Sequence, residues 1–92
     1  MAIEFKTITT NTNDLKVSTS FEKNVLSADV ALKGFDLTYG NDDHGMKISR
    51  LEIQNVTFNG NEVSYEYDFC FCDDWNHNMG GNVTALIIAV TE

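Results

Sequence analysis

Proline is absent from this chain, cysteine occurs twice, and basic side chains are few, six against fourteen acidic ones. Without proline, and with no long low-complexity stretch, nothing in the composition marks a linker, so the 92 residues are expected to form one domain, residues 1–92. A domain of that size has a small core, and association with copies of itself would add to it. Long apolar runs are missing too. The longest, "ALIIAV" from Ala85 to Val90, falls far short of the roughly 20 residues that cross a bilayer as a helix and has the length of a buried strand. The amino terminus lacks the charged, apolar, then small-residue order of a secretory signal. A soluble chain is the expectation, extracellular or cytoplasmic.

The shortage of basic residues leaves a formal charge of −8, which repels phosphate backbones and anionic lipid surfaces alike. Nucleic acid and membrane insertion are therefore not expected. Cys70 and Cys72 are two residues apart; in an extended segment they share a face with separated side chains, a poor geometry for a disulfide. The redox compartment is left open by this. The triplet "NVT" occurs at Asn55 and at Asn82, which matters as a glycan acceptor only if the chain is secreted.

What is present is alternation. Ile3 and Phe5 share one parity; so do Leu15, Val17, Thr19 and Phe21; Val30 and Leu32 precede Gly34, with Phe35, Leu37 and Tyr39 after it. No segment has a helical period. Between the runs lie "TTNTND", "YGNDDHG", "FNGN" and "CDDWNHNMGG", rich in the Asn, Asp and Gly that form turns. The expected fold is all-β, an antiparallel sandwich of six to seven strands. Met46 and Ile48 have the opposite parity to Leu51 and Ile53, so an extra residue, a bulge, is expected near Ser49 and Arg50. From Val63 to Phe71 the odd positions form an aromatic core face. Ala85 to Val90 is apolar on both parities; with no helix to cover the second face, a neighbouring subunit is expected to do so.

The polar loops admit three kinds of chemistry. "NDDHG" (Asn41 to Gly45) and "DDWNH" (Asp73 to His77) pair carboxylates with an imidazole, and if the loops meet at one end of the sandwich they could supply oxygen ligands for calcium or a mixed site for zinc, although their spacing matches no established loop. No cofactor is otherwise expected. Catalysis from Cys72, His77 and Asp74 lacks an elbow or a helix end to supply an oxyanion hole, so an enzyme is not expected. Ligand binding needs less: Asp74, Trp75, Asn76, His77 and Asn78 combine a ring that can stack on a sugar with short polar groups for its hydroxyls.

The segment "STSFEKNVLSADVALKGFDL" (Ser18 to Leu37), then "MKISRLEIQNVTFNG" (Met46 to Gly60), then a tryptophan-bearing loop and an apolar last strand resemble the H-type lectin domain, the family of snail agglutinins and the carboxy-terminal part of the discoidins. The resemblance implies a six-stranded sandwich, trimers or hexamers made from them, and recognition of galactose or N-acetylgalactosamine at subunit boundaries. It also implies sugar contacts from Asp36 or Asp42, from Lys47 where the family has arginine, and from Trp75 and Asn76 with His77 next to them. Three departures accompany it. Lys47 lacks the planar fork of arginine. One residue is added between Lys47 and Val56, and Gly60 to Trp75 is several residues longer. A second binding reading follows, a structural or receptor-contacting oligomeric module such as a viral fibre or surface assembly, with the long loop contacting protein.

Overall fold

The computed structural model describes the backbone of residues 1–38, 46–73 and 80–92, and the side chains of these except 37, 38, 46–49 and 71–73. Six strands are formed: β1 (Ala2–Asn11), β2 (Lys16–Ser20), β3 (Val25–Thr38), β4 (Met46–Asn59), β5 (Glu62–Asp73) and β6 (Gly80–Thr91). They make two antiparallel three-stranded sheets, β1-β6-β3 and β2-β5-β4. The all-β sandwich expected from the alternation is the fold observed.

Only β4 and β5 follow each other within one sheet. Their turn is Gly60-Asn61, with Asn59 paired to Glu62. Gly60 has φ of 59° and Asn61 has no positive φ, the pattern of a type II′ turn, which matches the right-handed twist of the strands it joins. The turn is also anchored to the other sheet. Asn61 donates its side-chain amide to the Phe21 carbonyl at 2.8 Å, and the Val25 amide donates to the Gly60 carbonyl at 2.8 Å. At the other end of the molecule Asn11 closes the β1–β2 connection, accepting from the Asn13 amide at 3.0 Å through its side chain and from the Asp14 amide at 2.9 Å through its carbonyl.

The two central strands carry the core. Val63, Tyr65 and Tyr67 of β5 share a buried cluster with Val83, Ala85, Ile87 and Ala89 of β6, closed by Phe21, Val25 and Val30. The small alanines of one sheet leave room for the tyrosines of the other. Each large side chain buried here contributes about 1.5–3 kcal/mol. The Tyr65 and Tyr67 rings meet edge to face at 5.6 Å. The sandwich is long and narrow, 49 × 20 × 15 Å, with a radius of gyration of 15.4 Å. A compact domain of this length has about 12–13 Å.

The bulge expected near Ser49 and Arg50 is not there. Pairing of β4 with β5 runs unbroken from Ile48 through Gln54, and the register steps instead between Met46 and Ile48 and between Gln54 and Thr57. Parity fixes that a residue is extra but not where it lies, and Lys47, not the Ser49–Arg50 pair, is the residue passed over at the first step. At the second step Asn55 takes φ of 54° and donates its side-chain amide to Glu66 Oε2 at 2.9 Å, which holds a backbone shape that asparagine tolerates better than most residues. β3 steps in register at Leu26 and at Lys33, so Val30 and Phe35 keep one parity across Gly34 as the sequence pattern requires.

Candidate functional site

The two sheets differ on their outer faces. On β2-β5-β4 the outward positions are Lys16 and Ser18, Ser64, Glu66 and Asp68, and Arg50 and Glu52. These groups pair with one another: Arg50 Nε lies 2.9 Å from Asp68 Oδ2, Lys16 Nζ 3.8 Å from Glu66 Oε1, and the Ser18 and Ser64 hydroxyls 2.9 Å apart. That face also holds a concavity of about 520 Å³ lined by Lys16, Ser18, Asn55, Thr57, Ser64 and Glu66, among others. On β1-β6-β3 the outward row of β6 is Thr84, Leu86, Ile88 and Val90, half buried by neighbours on either side, and its register partners on β1 are Thr9, Thr7, Phe5 and Ile3. Ile3 and Phe5 are 64% and 63% exposed.

This second face has two halves. Ile3, Phe5, Ile88 and Val90 make one end apolar. The other end, beyond Leu86, holds a concavity of about 420 Å³ lined by Thr9 of β1, Asn82 and Thr84 of β6, and Lys33 through Asp36 of β3. Its size falls within the roughly 300–1,000 Å³ of small-ligand sites. Gly34 makes the floor: a Cβ built there meets nothing within 4 Å, so the hollow exists partly because that side chain is missing. Thr9 and Thr84 share a 2.9 Å hydroxyl contact across the strand pair. Lys33 Nζ donates to Thr7 Oγ1 at 3.4 Å, which carries its stem over β6 between the two halves. Phe35 borders the concavity, but it is level with core-facing Val83, so its ring, 53% exposed, belongs to the other side of the sheet.

Chemically the concavity offers two hydroxyls, a carboxamide, one carboxylate and one ammonium. Lys33 and Asp36 balance in charge, so the site suits an uncharged ligand carrying several hydroxyl groups better than a phosphate. Among the described residues no group of three or more His, Cys, Asp or Glu is gathered that could hold a metal ion.

Of the residues named from the sequence, Asp36 lies in this concavity, opposite Asn82 in the β3–β6 register. Lys47 belongs to β4 at the first register step, and its side chain is outside the described residues, as are Asp42, Asp74, Trp75, Asn76 and His77 altogether. The strand ends that flank those two loops are described. Thr38 pairs with Gly80 in one sheet and Met46 with Asp73 in the other, so both connections leave and return at the same rim, two residues beyond Asp36 and Asn82. Thr9, Lys33, Asn82 and Thr84 were not anticipated. The one sequence signal was Gly34 inside a strand, which marks either a bulge or an approach by something else. Cys70 is a half-buried free thiol on β5.

Compared with known proteins, the chain matches no family model, no curated protein and no solved structure.

Proposed function

We propose that the chain is a carbohydrate-binding module of the H-type lectin kind, taking galactose or N-acetylgalactosamine-type glycans in the concavity around Asp36, at the boundary between subunits of a trimer or a hexamer. The observation that supports this reading is the concavity itself, with hydroxyl, amide and carboxylate groups from three strands around a glycine floor and no net charge. Asp36 accepts from vicinal sugar hydroxyls; Lys33, Thr9 and Thr84 donate. Trp75, Asn76 and His77 lie outside the described residues, between Asp73 of β5 and Gly80 of β6. Asp36→Ala removes a charged acceptor worth about 1.5–3 kcal/mol, so affinity should fall roughly 10- to 100-fold. A glycan array tests the reading. Reproducible galactose-type binding, lost in Asp36→Ala with circular dichroism unchanged, supports it; binding that survives Asp36→Ala contradicts the assigned site.

A second reading, a structural or receptor-contacting oligomeric module, is favoured by the 49 × 20 × 15 Å shape and by the apolar outer half-face. A folded chain that is silent across the array supports this one. Calcium bound by the acidic loops is a variant of either, and a chelator that lowers the melting temperature is its signature.

A further inference from the structure

We infer that the chain carries a second ligand site, the concavity on the outer face of β2-β5-β4, built from the same kinds of group as the one around Asp36 and suited to an uncharged glycan chain rather than to a single sugar. The ligand class rests on the reading above; the site itself does not.

The triplet Asn-Val-Thr, which occurs twice in the sequence, carries the argument. Each copy lines one of the two concavities, Asn82 and Thr84 of β6 the first, Asn55 and Thr57 of β4 the second. In both, the valine between them turns to the core, Val83 buried and Val56 packed against the same cluster, so asparagine and threonine stay outside. The same partners recur around each triplet. A hydroxyl pair 2.9 Å apart crosses neighbouring strands, Thr9 with Thr84 in one and Ser18 with Ser64 in the other. One carboxylate stands by each asparagine: Asp36 is level with Asn82, and Glu66 accepts from Asn55 at 2.9 Å. A lysine completes each set, Lys33 and Lys16. The volumes, about 420 Å³ and about 520 Å³, are both those of small-ligand sites.

The hollows are made differently. Gly34 opens the first, whereas at the second the register step of β4 puts Asn55 at φ of 54°. A bulge and a non-glycine residue at positive φ cost energy, and such features concentrate where a side chain must be aimed at a ligand.

The carboxylates differ as well, and that sets the ligand. Glu66 is already engaged through both oxygens, Oε1 by Lys16 at 3.8 Å and Oε2 by Asn55. A single sugar therefore lacks the charged acceptor that Asp36 offers it on the other sheet, and should bind here roughly tenfold more weakly. What the second concavity offers instead is a line of hydroxyls, Thr57 level with Ser64 and Ser64 level with Ser18. Three strands about 4.8 Å apart spread that line over about 10 Å, more than one sugar ring reaches. A chain of linked sugars laid across the strands meets all three. Lys16 and Glu66 neutralise each other, and a net charge of −8 repels an anionic glycan. With its sites on opposite sheets, one chain can bridge two glycans.

The test is amide chemical-shift mapping of the full chain with a linear hexasaccharide of galactose, in the wild type, Asp36→Ala, Ser64→Val and the shape-conserving Thr57→Val. Saturable shifts at Ser18, Asn55, Thr57 and Ser64 are expected in the wild type and in Asp36→Ala alike, with the affinity read there down roughly tenfold in Ser64→Val and several-fold in Thr57→Val. Shifts confined to the concavity around Asp36 overturn this inference and leave the first site standing. Shifts confined to the Ser18–Ser64 face do the reverse. Shifts on that face that neither hydroxyl variant alters overturn it as well.

Discussion

Lys33 Nζ lies 3.4 Å from Thr7 Oγ1, although their strands are separated by β6, so the lysine stem divides the outer face of one sheet into an apolar and a polar half. The polar half gains its depth from Gly34 beside it.

Gly34→Val separates site from fold. The position has no positive φ and open space around a built Cβ, so the melting temperature should change by no more than a degree or two in either direction. The valine methyl groups occupy the floor of the concavity, and ligand affinity should drop at least tenfold. Thermal scans and ligand titration of the same preparation check both halves; an unfolded variant, or one that binds normally, contradicts the description of the hollow.

Tyr67→Phe should stabilise the protein. The Tyr65 and Tyr67 hydroxyls are buried with no well-formed hydrogen bond, interacting at most with each other, and deleting one removes a desolvated polar group worth about 1–3 kcal/mol at no loss of ring packing. A rise of several degrees in melting temperature is expected. A fall of similar size would mean that the hydroxyl has a partner.

Stability should decline in alkali. Burial, reinforced by the neighbouring Tyr67, holds the Tyr65 phenol far above its ordinary range. Above a pH of about 10 the unfolded chain loses this proton while the folded chain keeps it. The native state then binds more protons, so stability is fully present below about pH 10 and falls above it, by up to about 1.4 kcal/mol per pH unit. Urea midpoints at about pH 9 and about pH 11 should differ in the wild type, and Tyr65→Phe should reduce the difference.

Much of the fold was legible because period-two alternation specifies a face at every position from Val63 to Tyr67; Ala85 to Val90, apolar on both parities, read as a buried strand without revealing which face meets the core. Location within a strand was less so. The phase change between Met46 and Leu51 announced an extra residue, but any site between them restores the parity, and the backbone chose Lys47. The second step at Asn55 has the same kind of trace, apolar positions changing from Leu51 and Ile53 to Val56 and Phe58, with Phe58 level with Val63. Asp36 was found through a resemblance. Its neighbours Thr9, Asn82 and Thr84 were invisible, because small polar residues facing outward on two strands, β1 and β6, look like any wetted strand until β6 is placed between β1 and β3.

Asn55→Val should cost about 1–2 kcal/mol from backbone strain alone, since a β-branched side chain resists φ of 54°, and it also loses the hydrogen bond to Glu66. Asn55→Gly keeps the backbone and should cost less. Chemical denaturation ranks the two, and an equal effect would remove the bulge from the account.

Amide chemical-shift mapping during a galactose titration tests the central claim, that the polar half of this face is the ligand site, most directly. The account predicts saturable shifts clustered at Thr9, Gly34, Asp36, Asn82 and Thr84, with the Ser18–Ser64 face unmoved. Shifts confined to that opposite face, or none up to high millimolar sugar, would contradict it.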